Sequence, residues 1–138
     1  MSFSRISVGT EVDSRLRVLK ARTGLLPNVI CRLGFCLSLS EDGVPDPKLY
    51  ADGQAREFNR YTLTGQWDSF YIALLRERLV QDNIDPDSEL ESQFKSHLSR
   101  GVLLLYQRVK TLDDLAELMS QVQRRAELQE QQAHAQPA

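Results

Sequence analysis

The residues of this 138-residue chain best suited to covalent or metal chemistry are two cysteines and two histidines, and their spacing argues against both uses. Cys31 and Cys36 lack the CxxC spacing of a zinc or redox site and have no histidine beside them. Five positions apart on a helix they point to different sides, too far apart to bridge readily, so they read as buried thiols in a reducing compartment. His97 and His134 are distant from each other in the chain, and His134 sits in the tail. Asp85, Asp87, Asp113 and Asp114 stand where helices should begin, and there capping and the helix dipole account for carboxylates without catalysis. The sequence has no glycine-rich phosphate loop. The expectation is a protein that is not an enzyme, with no catalytic residue, metal or cofactor.

The chemistry that remains is anion binding. Formal net charge is −2, which argues against a general polyanion binder, but the charges are unevenly spread. Up to Ser38 the chain carries Arg5, Arg15, Arg17, Lys20, Arg22 and Arg32 against only Glu11 and Asp13. The acidic excess lies in residues 41–57 and 82–91. Arg5, Arg17, Lys20, Arg22 and Arg32 are the candidate DNA contacts. Glu11–Arg15 and Asp13–Arg17 stand at i,i+4 spacing, which partly neutralises two of the cations. Lys20, Arg22 and Arg32 lack a local acidic partner and are the better phosphate candidates. Arg15 and Arg22 flank one side of the helical stripe, and Arg17 and Lys20 the other. A solvated helix surface is the competing reading.

These cations need elements to hold them. Residues 3–8 alternate, sending Ile6 and Val8 one way and Arg5 and Ser7 the other, as a short half-buried strand does. Thr10 suits an N-cap, with Asp13 completing a variant capping box. Val12, Leu16, Leu19 and Thr23 then recur at helical spacing up to Gly24. Pro27 opens a second helix, in which Val29, Ile30, Leu33, Cys36 and Leu37 share a face while Phe35 and Leu39 point elsewhere. So much apolar surface calls for a second subunit. Residues 41–53 read as a loop and residues 58–63 as a short strand. A third helix follows Gly65, with Trp67, Phe70, Tyr71, Leu74, Leu75 and Leu79 inside. A fourth starts at Asp85-Pro86 and aligns Leu90, Phe94, Leu98, Gly101, Val102 and Leu105. Gly101 there implies close packing or a break. Thr111 and Asp114 cap a fifth helix carrying Leu115, Leu118, Met119 and Val122.

The fold class expected is therefore mainly α: about five helices behind a short N-terminal strand, assembled as a homo-oligomer. Residues 1–122 form one helical domain, and residues 123–138 a frayed or disordered tail rich in Gln and Ala. The apolar fraction of 41% is that of a globular chain. Neither a secretory signal nor an apolar run near the roughly 20 residues of a membrane span is present, so a cytoplasmic location is expected. The strand–helix–helix opening is ribbon-helix-helix-like. In such proteins the strand pairs with its dimer mate and enters the major groove, which makes a transcriptional regulator one alternative.

Three segments together resemble the DndE family, the small subunit of the bacterial DNA phosphorothioation (sulfur modification) machinery. They are residues 19–24 running into 28–39, residues 61–65 followed by 71–76, and residues 94–101, with the paired Cys31 and Cys36 adding specificity. The resemblance covers roughly residues 3–106. It implies a nearly all-helical oligomer, with a tetramer favoured, that associates with double-stranded and particularly nicked DNA through surface lysines. It also implies as partners an iron–sulfur subunit, an ATPase and a cysteine desulfurase system. This chain has few lysines, so the family's DNA contacts carry over only to Lys20 and its basic neighbours. A scaffold for the modification complex that ignores DNA is the second alternative.

Overall fold

The structure, a computed structural model, describes residues 3–51 and 53–135. Ile6 and Val8 alternate inward on strand β1 (Arg5–Val8), and Gly9 turns the chain into helix α1 (Thr10–Thr23). Val12, Leu16 and Leu19 form the buried stripe of α1, and Gly24 ends it in the left-handed region at φ 76°. Pro27 sits at the start of helix α2 (Pro27–Ser40), where its missing N–H is not needed. Strand β2 (Arg56–Asn59) runs straight into the short helix α3 (Arg60–Thr64). Helices α4 (Asp68–Gln81), α5 (Pro86–Arg108) and α6 (Leu112–Ala135) complete the chain.

The centre of the molecule is the packing of α2 on the 23-residue α5. Leu90, Phe94, Leu98, Val102 and Leu105 line one side of α5, all buried. Opposite them Gly34 meets Gly101 backbone to backbone: a Cβ built on Gly101 would lie 1.7 Å from the Gly34 carbonyl oxygen. Close packing, not a break, explains Gly101, since α5 passes through it unbroken. Phe35 packs on Phe94 at 4.9 Å between centroids, and Phe94 in turn meets Phe3 at 5.5 Å. Arg60, itself buried, ties the entry of the chain to α4. It chelates Asp68 through two N–H groups at 3.0 and 2.8 Å, donates to the Phe3 carbonyl at 2.9 Å and stacks on the Phe3 ring.

Several expectations are corrected. The ribbon-helix-helix opening fails because β1 pairs antiparallel with β2 of its own chain, Arg5 opposite Asn59 and Val8 opposite Arg56. Thr10 is the first helical residue, not the cap. Asp13 turns inward to bind Arg56 at 2.6 Å and Arg17 at 3.0 Å, so it closes no capping box. The strand expected at residues 58–63 ends at Asn59, whose side chain accepts from the Tyr61 and Thr62 amides and starts α3. Phe35 faces the core, whereas Cys36 opens to the surface. In α4 only Leu75 and Leu79 of the expected inner face are buried. Trp67, Phe70 and Leu74 stay 59%, 61% and 39% exposed. Past Val122, where fraying was expected, α6 continues as helix to Ala135 with its side chains in solvent. Polar side chains at i,i+4 spacing, such as Gln123 and Glu127, accompany that continuation. Residues 136–138 of the expected tail lie outside the described residues. Among the described residues no single helix is long and apolar enough to cross a membrane.

Candidate nucleic-acid interface

The five cations proposed from sequence divide into two kinds. Lys20 is exposed on α1 and has no acidic partner among the described residues. Arg17 projects from the same helix with its side chain 71% exposed and leans on Asp13. Arg5 is equally open and sits 3.7 Å from Glu57 across the strand pair. Arg22 and Arg32, by contrast, are anchors. Arg22 donates to the carbonyls of Tyr106 and Val109 at 3.3 Å, fastening α1 to the C-terminal end of α5. Arg32 donates to the carbonyls of Leu63 and Thr62 at 2.6 and 3.2 Å, at the C-terminal end of α3. The last carbonyls of a helix have no intrahelical donor, and a guanidinium meets both that need and the negative end of the dipole. Arg78 and Arg100 do the same for α2, through the carbonyls of Leu39 and Ser38.

Tyr106 organises what remains of the positive surface. Arg15 and Arg22 lie over its ring at 4.2 and 4.7 Å, and the Lys110 ammonium at 5.1 Å. Each lies within the range of a cation–π contact, so one ring holds three like charges together. Their proximity makes a local positive field that the chain's formal net charge of −2 conceals. Sequence reasoning placed Arg15 and Arg22 on one flank of α1 but missed Tyr106 and Lys110, which nothing local connects with α1. Arg56 stands among the acidic loop residues in sequence, yet it is part-buried against Asp13. Substituting it would disturb the α1–β2 contact.

Cys31, Ser38 and His97 are sealed in the core, whereas Cys36 is open to the surface. Cys31 is fully buried, and loss of water pushes its thiol up to about 12. Burial also raises Cys36 above its ordinary value. Ser38 and His97, both buried, make a pair at 2.8 Å between Oγ and Nδ1. Ser38 Oγ also accepts from the Arg100 Nε–H at 2.8 Å. Nε2 has no partner among the described residues. With Ser38 closed to solvent, this Ser–His pair has no access to a substrate. No group of three or more His, Cys, Asp or Glu residues is arranged for a metal ion among the described residues.

His97 should make the fold acid-sensitive. Burial, and then the neighbouring Arg100 and Arg78, lower its pKa from 6.5 to about 3. The folded state therefore resists a proton that the unfolded chain takes up readily. The stabilisation is complete above pH 6.5 and is lost as the pH falls toward 3, at up to about 1.4 kcal/mol per pH unit. Urea denaturation of the native protein and His97→Gln from pH 7 to pH 4.5 checks this. The native protein should lose stability faster, and parallel pH curves for the two would sink the assignment.

Comparison with known proteins gives a consistent result. A family model described as DNA sulphur modification protein DndE matches residues 5–113. No curated protein matches the chain. The crystal structure of DndE from Escherichia coli B7A, involved in DNA phosphorothioation modification, superposes with a TM-score of 0.60 at 23% identity, covering 76% of this chain and 99% of that one. A DndE mutant with glycine-to-lysine changes, involved in DNA phosphorothioation, superposes at 0.55 and 17% identity, covering 75% and 99%. Almost the whole of each solved chain is thus matched by about three quarters of this one. Helix α6 lies beyond the family match but for its first two residues.

Proposed function

This chain belongs to the DndE family of DNA sulphur modification proteins, and we propose that it serves DNA phosphorothioation as a cytoplasmic accessory subunit that binds double-stranded DNA and performs no catalysis. The observation that carries the reading is the convergence of Arg15, Arg22 and Lys110 on Tyr106, with Lys20 and Arg17 exposed on the same helix α1. Arg15, Arg17, Lys20 and Lys110 donate charge-assisted hydrogen bonds to phosphate oxygens and read no sequence, while Arg22, held on helix-end carbonyls, adds its field. Cations spread over two flanks of one helix, on a chain of net negative charge, make a weak DNA site. A homo-oligomer, with a tetramer favoured, repeats it. A nick helps because an interrupted backbone bends more easily onto a rigid surface. In this reading the sulfur chemistry belongs to partner subunits: an iron–sulfur protein, an ATPase and a cysteine desulfurase system.

Fluorescence anisotropy with labelled duplexes tests the proposal. Nicked and intact duplexes of unrelated sequence should both bind at low salt, the nicked one more tightly, and both should weaken steeply at physiological salt. Absence of binding at low salt would leave only the scaffold role. Binding confined to one short sequence would also overturn the reading.

A further inference from the structure

Among the described residues an apolar face stays open that consists of a ridge beside a groove. Trp67, in the turn just before α4, and Phe70 and Leu74 of α4 make the ridge. The groove, of about 360 Å³, runs between α2 and α6, with Leu33, Leu37, Met119 and Val122 among its walls. Cys36 belongs to both: it lines the groove and also a depression of about 280 Å³ along the ridge. We propose that this face binds a second copy of this chain, the ridge of each copy seated in the groove of the other, with the two Cys36 side chains beside the two-fold axis. The proposal rests on the homo-oligomer reading above and specifies the surface.

Symmetry motivates the choice of occupant. A two-fold contact requires a patch that complements itself. A face with a protrusion next to a hollow does so when the axis passes through their boundary, and the boundary here is Cys36. Chemistry points the same way. No charged side chain lines either depression among the described residues. DNA would find no phosphate partner there. Depletion of charge and enrichment in Trp, Phe and Met mark the cores of subunit interfaces.

The area suffices. A buried aromatic side chain contributes about 150–250 Å², so four rings that are now three-fifths exposed, with the walls they cover, remove roughly 1,000 Å² from water, near what a specific interface needs. Met119 and Val122, the outer wall, come from α6, which adds to the family-matched region. On a helix whose far half is entirely solvated, an apolar stripe confined to this wall has a use only if something covers it.

The experiment is cross-linking of the full-length protein with a short bis-maleimide at micromolar concentration, alongside light scattering. A covalent dimer should form in the native protein and in Cys31→Ser but not in Cys36→Ser. Phe70→Asp on the ridge and Met119→Asp on the groove wall should each lower the cross-link yield at least tenfold, with helix content unchanged because both side chains are exposed. An oligomer that neither cross-links through Cys36 nor responds to Phe70→Asp assembles through another face, and this inference alone falls. A native monomer by light scattering removes the homo-oligomer reading as well.

Discussion

Gly101→Ala should unfold the protein or cost it more than about 3 kcal/mol, out of the roughly 5–15 kcal/mol by which domains of this size are stable. Helix propensity alone predicts the opposite, since alanine is favoured over glycine inside a helix by about 1 kcal/mol. Packing decides the sign. The new methyl would sit 1.7 Å from the Gly34 carbonyl oxygen and 2.1 Å from its carbon, both backbone atoms that no rotamer change can move aside. Overpacking of a core commonly costs 1–3 kcal/mol when side chains can shift. Here α2 and α5 must separate along the seam where Phe35 meets Phe94. Gly34→Ala should destabilise too, but less, because its methyl would lie 2.9 Å from the nearest atoms of α5. Gln107→Ala, on the exposed side of α5, should change stability by no more than about 0.5 kcal/mol. Urea denaturation followed by circular dichroism reads all three, and a Gly101→Ala protein as stable as the native one would show that the two helices do not touch in this way.

The second large effect concerns DNA. Replacing Lys20 and Lys110 together by alanine should reduce affinity at physiological salt by tenfold or more and leave the thermal transition in place. Both side chains are exposed and pair with no carboxylate among the described residues, so their removal leaves no buried charge behind. Each phosphate contact contributes about 0.9 to the slope of log K against log salt, and the double variant should flatten that slope by about 1.8 for each engaged subunit. Arg22 and Arg32 are poor choices for this test, because alanine there would release helix-end carbonyls as well as charge. Lys48→Ala, an exposed lysine in the acidic loop, is the control. An equal loss from Lys48→Ala, or native binding indifferent to salt, would place the contact surface elsewhere.

The sequence was readable where a periodicity had one physical solution. The stripe from Leu90 to Leu105 could be satisfied only by burying that side of α5, and it is buried. Gly24 marked the end of α1 because few other residues accept its left-handed conformation, and Pro27 the start of α2 because a helix tolerates proline only in its first turn. The face of α4 misled because Trp67, Phe70 and Leu74 follow the same helical spacing as Leu75 and Leu79, and spacing does not say what covers a stripe. The roles of the arginines were hidden for a different reason. Arg22 reaches Val109 across 87 positions, and Arg32 reaches Leu63 across 31. No pattern in a single sequence shows that a guanidinium will meet a distant carbonyl. The absence of a local acidic partner, read as freedom to bind phosphate, was in these two residues the mark of a helix-end anchor.

The Gly34–Gly101 contact also has a metrical consequence. Helices held backbone to backbone have no soft side chains between them to take up slack, and interiors of this kind transmit displacement instead of absorbing it. Helix α1, with its cations, and helix α4, with its ridge, are both fastened to that pair through α5. Their separation is therefore a fixed length. In an assembly joined through the ridge, the distance from one subunit's cations to the next is set by the protein before any duplex arrives. The oligomer then acts as a ruler, and it is the helical repeat of the DNA that must come into step with it.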